Sequence, residues 1–259
     1  MWVAGCDVGS LTAKAVILED KKIIAGEWIR VASNPVISAQ KVIQQALSKA
    51  RLSMDSIVCC CTTGYGRTEI PFASLNMSEI SCHGMGAFFL DKQIRTVIDM
   101  GGQDCKVIAL DDHGYVSQFS MNDKCAAGTG RSLEMLSDSL GIEFEQLGEI
   151  SLKSRHPVPL TNKCTIYMEL EVMSYVYEKK KLKDIAAGIT LALARRVAQL
   201  ASSIPLNTQI AFTGGVSKNT AVVKHLESLL DISFTKLPFD PQLIGALGAA
   251  VFALANTQG

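Results

Sequence analysis

Short apolar runs that end in an acid, a glycine or a threonine recur along the chain, and they recur twice in the same order. Residues 3–7, 13–19 and 23–31 read as three successive strands, separated by a glycine turn and by the charged hairpin Asp20-Lys21-Lys22. Ala39, Val42, Ile43, Ala46 and Leu47 fall at helical spacing and predict a helix over 38–50. The run Ser56-Ile57-Val58-Cys59-Cys60-Cys61 then predicts a buried strand ending at Thr62-Thr63-Gly64. After Arg95 the order returns. Strands are expected over 96–99, 105–110 and 115–121, a helix from Ala126 or Ala127 to about Leu140, and a later strand over 208–213 before Gly214-Gly215.

A repeated unit of this kind predicts an α/β protein of two packed lobes, with the acid-glycine turns of the two copies facing each other across a cleft. The run over 243–254 is rich in Gly and Ala, reads as a closely packed helix, and is expected to return to the first lobe. The lobes are therefore drawn as 1–94 plus 243–259, and 95–242, with no low-complexity linker between them.

Composition narrows the function classes. A chain of 259 residues that is 48% apolar can bury a sizeable core. Its 25 basic and 25 acidic residues balance, which argues against nucleic acid or a membrane surface as primary partner. No apolar segment approaches membrane-spanning length and no export signal opens the sequence, so a cytoplasmic location is expected. The eight cysteines then read as reduced thiols or metal ligands rather than disulfides. Cys59, Cys60 and Cys61 alternate faces of one strand and cannot easily converge on a metal. Cys6 and Cys105 look like small buried hydrophobes, and Cys82 beside His83 favours a packed helix entry.

Three glycine loops carry candidate chemistry. In Asp7-Val8-Gly9-Ser10-Leu11-Thr12-Ala13-Lys14, Gly9 admits phosphate to the backbone, and Ser10, Leu11, Thr12 and Ala13 offer amides or hydroxyls. Lys14 can neutralise charge, and Asp7 can hold hydrated Mg2+. Asp99-Met100-Gly101-Gly102-Gln103-Asp104 repeats the logic: Asp99 is a second metal-facing carboxylate, Gly101 and Gly102 allow close approach, and Gln103 could orient an attacking water. Thr213-Gly214-Gly215-Val216, followed by Asn219, offers bare backbone to a base and ribose. Gln242 and Gly245, at the start of the last helix, complete the candidate ATP/ADP contacts with Gly128, Thr129 and Gly130.

Two further runs, Asn122-Asp123-Lys124-Cys125-Ala126-Ala127-Gly128-Thr129-Gly130 and Thr161-Asn162-Lys163-Cys164-Thr165-Ile166, each set one cysteine at an expected helix start. Asn122 or Asp123 could cap the first helix and Thr161 or Asn162 the second, leaving both sulfurs where backbone amides favour negative charge. Two thiolates are half the ligand set of an iron-sulfur cubane, so two chains would share one. The closely spaced cysteine pairs of a zinc site are absent, and no histidine is placed by sequence to serve a catalytic thiol.

On these loops the chain resembles the superfamily of sugar kinases, actin and heat-shock chaperone ATPases, whose duplicated ribonuclease-H-like fold the resemblance implies. More narrowly it resembles the ATPase activators of 2-hydroxyacyl-CoA dehydratases, with relatives among benzoyl-CoA reductase subunits. That resemblance rests also on Thr63-Gly64-Tyr65-Gly66-Arg67, on Ser78-Glu79-Ile80-Ser81-Cys82-His83, and above all on the run through Cys125 and Arg131. It implies a homodimer binding one 4Fe-4S cluster through Cys125 and Cys164, and ATP hydrolysis coupled to one-electron transfer. The implied partners are an iron-sulfur dehydratase or reductase and, as electron source, ferredoxin or flavodoxin. After Cys164 the family has an alanine-glutamate-serine-glutamate run, where this chain has Tyr167-Met168-Glu169-Leu170-Glu171. Two other readings remain open: a small-molecule kinase with Asp104 as base, and a nucleotide-switched scaffold.

Overall fold

Strand Trp2–Val8 (β1) pairs antiparallel with Thr12–Glu19 (β2), and β2 with Lys22–Arg30 (β3), through the turn at Asp20. This is a computed structural model; it describes residues 1–122, 129–161, 164–207 and 209–257. Helix Pro35–Ala50 (α1) starts where Asn34 Oδ1 accepts from Val36 N at 2.8 Å, and it stops at Arg51, whose φ of 58° breaks the helical run. It carries the chain to Ile57–Thr63 (β4), parallel to β1, and the short Leu75–Asn76 (β5) closes the sheet in the order β3-β2-β1-β4-β5. Cys59 and Cys61 pack in one apolar cluster and Cys60 in another, as alternation along a strand requires.

The second half repeats the pattern. Thr96–Met100 (β6), Cys105–Leu110 (β7) and Val116–Asn122 (β8) form the antiparallel meander, and Ile210–Thr213 (β9) and Phe234–Thr235 (β10) add in parallel, giving β8-β7-β6-β9-β10. The two orders match strand for strand, which is the duplicated ribonuclease-H-like α/β fold. Between β8 and β9 the second half also holds Gly130–Ser139 (α3), Phe144–Ser151 (α4), Thr165–Tyr177 (α5) and Leu182–Ala201 (α6). Helix Thr220–Leu230 (α7) joins β9 to β10.

Glu79–Leu90 (α2) and Ile244–Asn256 (α8) fill the space between the sheets. Helix α8 packs on β1, β2 and β4, whereas α2 touches β6, β7 and β8, so each half sends its last helix to the other half's sheet. Their contact needs small residues: a side chain on Gly248 would strike the carbonyl of Cys82, and one on Gly86 the carbonyl of Ile244.

The helices that follow the two cysteine runs, α3 and α5, are capped by residues other than those expected. Asn122 does not cap a helix but ends β8, paired with Cys105, and the helix that follows starts at Gly130 with Thr129 as its cap. Asp123, Cys125, Ala126, Ala127 and Gly128 lie outside the described residues, so the expected start at Ala126 or Ala127 falls there. In the second run Cys164 is itself the N-cap of α5, in extended backbone with φ −147°, and Thr161 precedes that cap. Asn162 also lies outside the described residues.

Candidate functional site

The acid-glycine loops leave the ends of β1 and β6 and face each other across one cavity. Antiparallel register builds an acid-lysine pair into each copy: Asp7 stands opposite Lys14 and Asp99 opposite Lys106. Lys14 Nζ lies 3.0 Å from Asp7 Oδ2. Lys106 is more heavily engaged. Its Nζ reaches Asp104 Oδ1 at 2.6 Å, Glu79 Oε2 at 3.0 Å and Asp99 Oδ2 at 3.5 Å, and the residue is only 2% exposed.

Asp99 uses its other oxygen as well. Oδ1 accepts from the Thr213 hydroxyl at 2.9 Å and lies 3.1 Å from His83 Nδ1, which is 3.0 Å from the same hydroxyl. Burial opposes its ionisation, but His83, Lys106 and Thr213 together hold the carboxyl below the usual range. For Lys106 burial disfavours the charge, and Asp99, Glu79 and Asp104 overcome it, raising the ammonium well above its ordinary pKa. Burial pushes the Glu79 carboxyl up despite Lys106. The phenol of Tyr65, which donates to Asp104 Oδ2 at 3.0 Å, is pushed up to about 12 by burial and by that carboxylate.

This floor fits a divalent cation carried by phosphate. Asp7 Oδ1 is buried with no hydrogen-bond partner, and the four carboxylates Asp7, Glu79, Asp99 and Asp104 against the two ammoniums Lys14 and Lys106 leave a formal charge of −2. An all-oxygen donor set of this kind suits Mg2+, which keeps several of its waters. On the opposite wall Asn219 Oδ1 caps α7, accepting from Ala221 N and Val222 N, while its buried Nδ2 has no protein acceptor.

Most residues singled out in the sequence come together here. Gly9, Ser10, Leu11, Thr12 and Lys14 line the cavity on one side, and Gly101, Gly102, Asp104 and Gly130 on the other. Gly214, Gly215, Val216, Asn219 and Gln242 form its third wall, where Gly214 adopts φ 85° and a side chain would strike the Met100 carbonyl. Ala13 is buried within β2, and Thr129 is buried as the cap of α3. Gly245 stands behind the wall, where a side chain would meet His83 Nε2 and Asp7 Oδ2. Gln103 is exposed and stands off the cavity wall. Gly128 lies outside the described residues.

Sequence reading missed Glu79, His83 and Lys106. For Lys106 a signal existed: the seven-residue step from Asp7 to Lys14 is repeated from Asp99 to Lys106. Glu79 and His83 are one helical turn apart on α2, and only the crossing of α2 to the second sheet brings them to Lys106 and Asp99.

With this geometry in place, the sequence profile of the BadF/BadG/BcrA/BcrD ATPase family matches residues 4–253. The chain belongs to that family. Within it, this ATPase-family chain is 39% identical over 259 residues to the activator of lactoyl-CoA dehydratase of Anaerotignum propionicum, covering 100% of this chain and 99% of that one. It is 38% identical to the 2-hydroxyisocaproyl-CoA dehydratase activator of Clostridioides difficile, over 98% and 95% of the two chains. A solved structure of that activator with bound ADPNP superimposes with a TM-score of 0.95 at 37% identity, covering 100% and 96%. Among the described residues no helix is long and apolar enough to cross a membrane.

In this ATPase-family chain α3 is tied to the cavity loop, and α5 to α3, through hydrogen bonds. Gly130 N and Arg131 N, the first amides of α3, donate to the carbonyls of Gly101 and Gly102 at 2.9 Å each. Farther along, the Ser139 hydroxyl reaches Glu169 Oε1 on α5 at 3.2 Å, and Glu171 Oε2 accepts from Thr161 N at 2.8 Å, just before Cys164. The two acids of the departing run are thus used inside the fold, while Tyr167 and Leu170 face outward. With Ile166, Met173 and Tyr177 they form an exposed apolar stripe at helical spacing along α5.

Proposed function

We propose that this protein is an ATP-dependent one-electron donor: a homodimeric ATP hydrolase that activates a partner 2-hydroxyacyl-CoA dehydratase or related iron-sulfur reductase. The observation that carries the reading is the setting of Cys164. Among the described cysteines it alone is not buried, and it caps the start of α5, beside a stripe of exposed apolar side chains. A thiolate there lies at the positive end of the α5 dipole, which favours an anionic metal cluster. The names of the relatives, activators of 2-hydroxyacyl-CoA dehydratases, support the same assignment.

Cys125 and Cys164 of both subunits would hold the cluster, and a 4Fe-4S cubane so held supplies a carrier for single electrons. Ferredoxin or flavodoxin is the assigned electron source. In the cleft, Asp7 and Asp99 would hold hydrated Mg2+, which would neutralise phosphate charge, and Lys14 with the Gly9 and Gly101 loops would take the phosphates. Asp104, on the cavity wall, is assigned to the attack of water on ATP, which yields ADP and phosphate; Gln103, which stands off that wall, would reach the water only once the lobes close. The lobes, 1–94 with 243–259 and 95–242, close on ATP only as far as ATP binds the closed arrangement better than the open one. Movement of the Gly101-Gly102 carbonyls is then carried to α3 through its first amides.

The test is iron content after anaerobic purification. The wild-type dimer should carry about four irons, and Cys125→Ser or Cys164→Ser should lose them while still binding nucleotide, since neither change touches a phosphate loop. Full iron in either variant would remove the ligand assignment.

A further inference from the structure

We propose that Lys106 is a positioning residue of the nucleotide site: a fixed internal counter-ion that holds Glu79, Asp99 and Asp104 together and keeps the cleft from loading a divalent cation before nucleotide arrives. This rests on the ATPase reading of the same cavity. The two lysines of the duplicated unit have diverged in their surroundings. Lys14 touches one carboxylate and its side chain is 13% exposed, whereas Lys106 touches three and its side chain is 3% exposed. An ammonium has three donors, and those of Lys106 are matched by three carboxylates from three places: α2, the end of β6 and the loop into β7.

Three carboxylate oxygens converging within 3.5 Å of one point are also the beginning of a hard-cation site. The ammonium occupies that point with a single charge that cannot exchange. Without it the floor would carry −3 rather than −2, because Lys14 alone would face the same four carboxylates. The cation would then bind among these three oxygens rather than at Asp7 Oδ1, the oxygen left without a partner. Lys106 also links the halves of the molecule, since Glu79 lies on α2 and Asp99 and Asp104 flank the second glycine loop. Its loss therefore moves the groups that orient Mg2+ and water without removing any group that grips the nucleotide.

The experiment compares wild type, Lys106→Met and Lys106→Arg in full-length protein. Lys106→Met should lower the kcat for Mg-ATP hydrolysis by about 100-fold, the scale of a small misplacement of catalytic groups. Its KM should change far less. Without nucleotide, Lys106→Met should bind Mn2+ about 10-fold more tightly than wild type, measured by calorimetry or electron paramagnetic resonance, because an unshielded charge has been exposed. Lys106→Arg keeps the charge and should bind free Mn2+ as wild type does, even where its larger head lowers kcat. If Lys106→Met is too unstable for kinetics, its melting temperature in Mn2+ decides: the cation should restore stability to the variant more than it does to wild type.

Unchanged nucleotide-free Mn2+ affinity in Lys106→Met, or a melting temperature that Mn2+ fails to raise beyond the wild-type effect, would overturn the proposal. So would a kcat close to wild type. A wild-type protein that does not hydrolyse ATP would instead remove the ATPase reading, and the Mn2+ comparison would still judge the role of Lys106 on its own.

Discussion

At the scale of single residues, the two acids proposed to face Mg2+ are not equivalent. Asp99 has both oxygens engaged, by Thr213 and His83 on one side and Lys106 on the other, whereas Asp7 spends one oxygen on Lys14 and leaves the other buried and unpartnered. A buried carboxylate oxygen without a donor is costly in the protein alone, and the cost is removed when a hydrated cation supplies the missing donors. Asp7→Asn should therefore reduce steady-state ATPase activity by roughly two orders of magnitude, the effect of deleting one preorganised electrostatic contact. Iron content should stay at wild-type level. Turnover at the wild-type rate in Asp7→Asn would show that Asp7 does not serve the metal. The acid-glycine motifs marked Asp7, Lys14 and Asp99 in the sequence, each within a short local run, and the structure brings all three to one cavity. Glu79 and His83 were not legible, because nothing local to 78–83 reveals which sheet that helix will cover.

At the scale of elements, the strand meanders and α1 follow directly from apolar spacing, and the observed bounds depart from the expected ones by a few residues. The helix after β8 is where local reading went astray. Asn122 is a good cap by residue type, but pairing with Cys105 extends β8 through it, and ladder hydrogen bonds outweigh capping preference. The same tertiary control governs α2 and α8. Glycine is a poor helix former, yet Gly84, Gly86, Gly245 and Gly248 all lie in these helices, because two helices and two sheets must share one narrow layer. Gly248→Val should destabilise the fold by about 3 kcal/mol or more, at the upper end of overpacking costs, because the clash is with the backbone of Cys82 and not with a movable side-chain tip. Urea denaturation measures this. A midpoint equal to wild type would mean that the α2–α8 contact is looser than the geometry indicates.

At the scale of the whole molecule, the duplicated fold sets the glycine loops where the halves meet, and the insertion between β8 and β9 places Cys164 at the start of α5. Duplication was readable from the order of runs in the sequence. The relation between loop and cysteine was not, because it runs through backbone groups and through a contact between α3 and α5 that has no counterpart in the other half. The chain of contacts is short: the Gly101 and Gly102 carbonyls, the first amides of α3, the body of α3, and then Ser139 to Glu169 on α5. A ligand can act through it only if it favours one arrangement of the second loop over another, and the proposed site would set the γ-phosphate, by which ATP differs from ADP, against that loop. If the coupling is real, Mg-ATP or a non-hydrolysable analogue should change the rate at which a chelator removes iron from the reduced dimer, and ADP should change it less. Ser139→Ala combined with Glu169→Gln should weaken that difference while leaving nucleotide affinity intact, because both residues stand away from the cavity wall. Chelation rates that are identical without nucleotide, with ADP and with ATP would mean that the cleft and the cysteines act independently. An ATP-driven electron donor could not then work through α3 and α5, and the assignment would reduce to a nucleotide hydrolase that also carries iron.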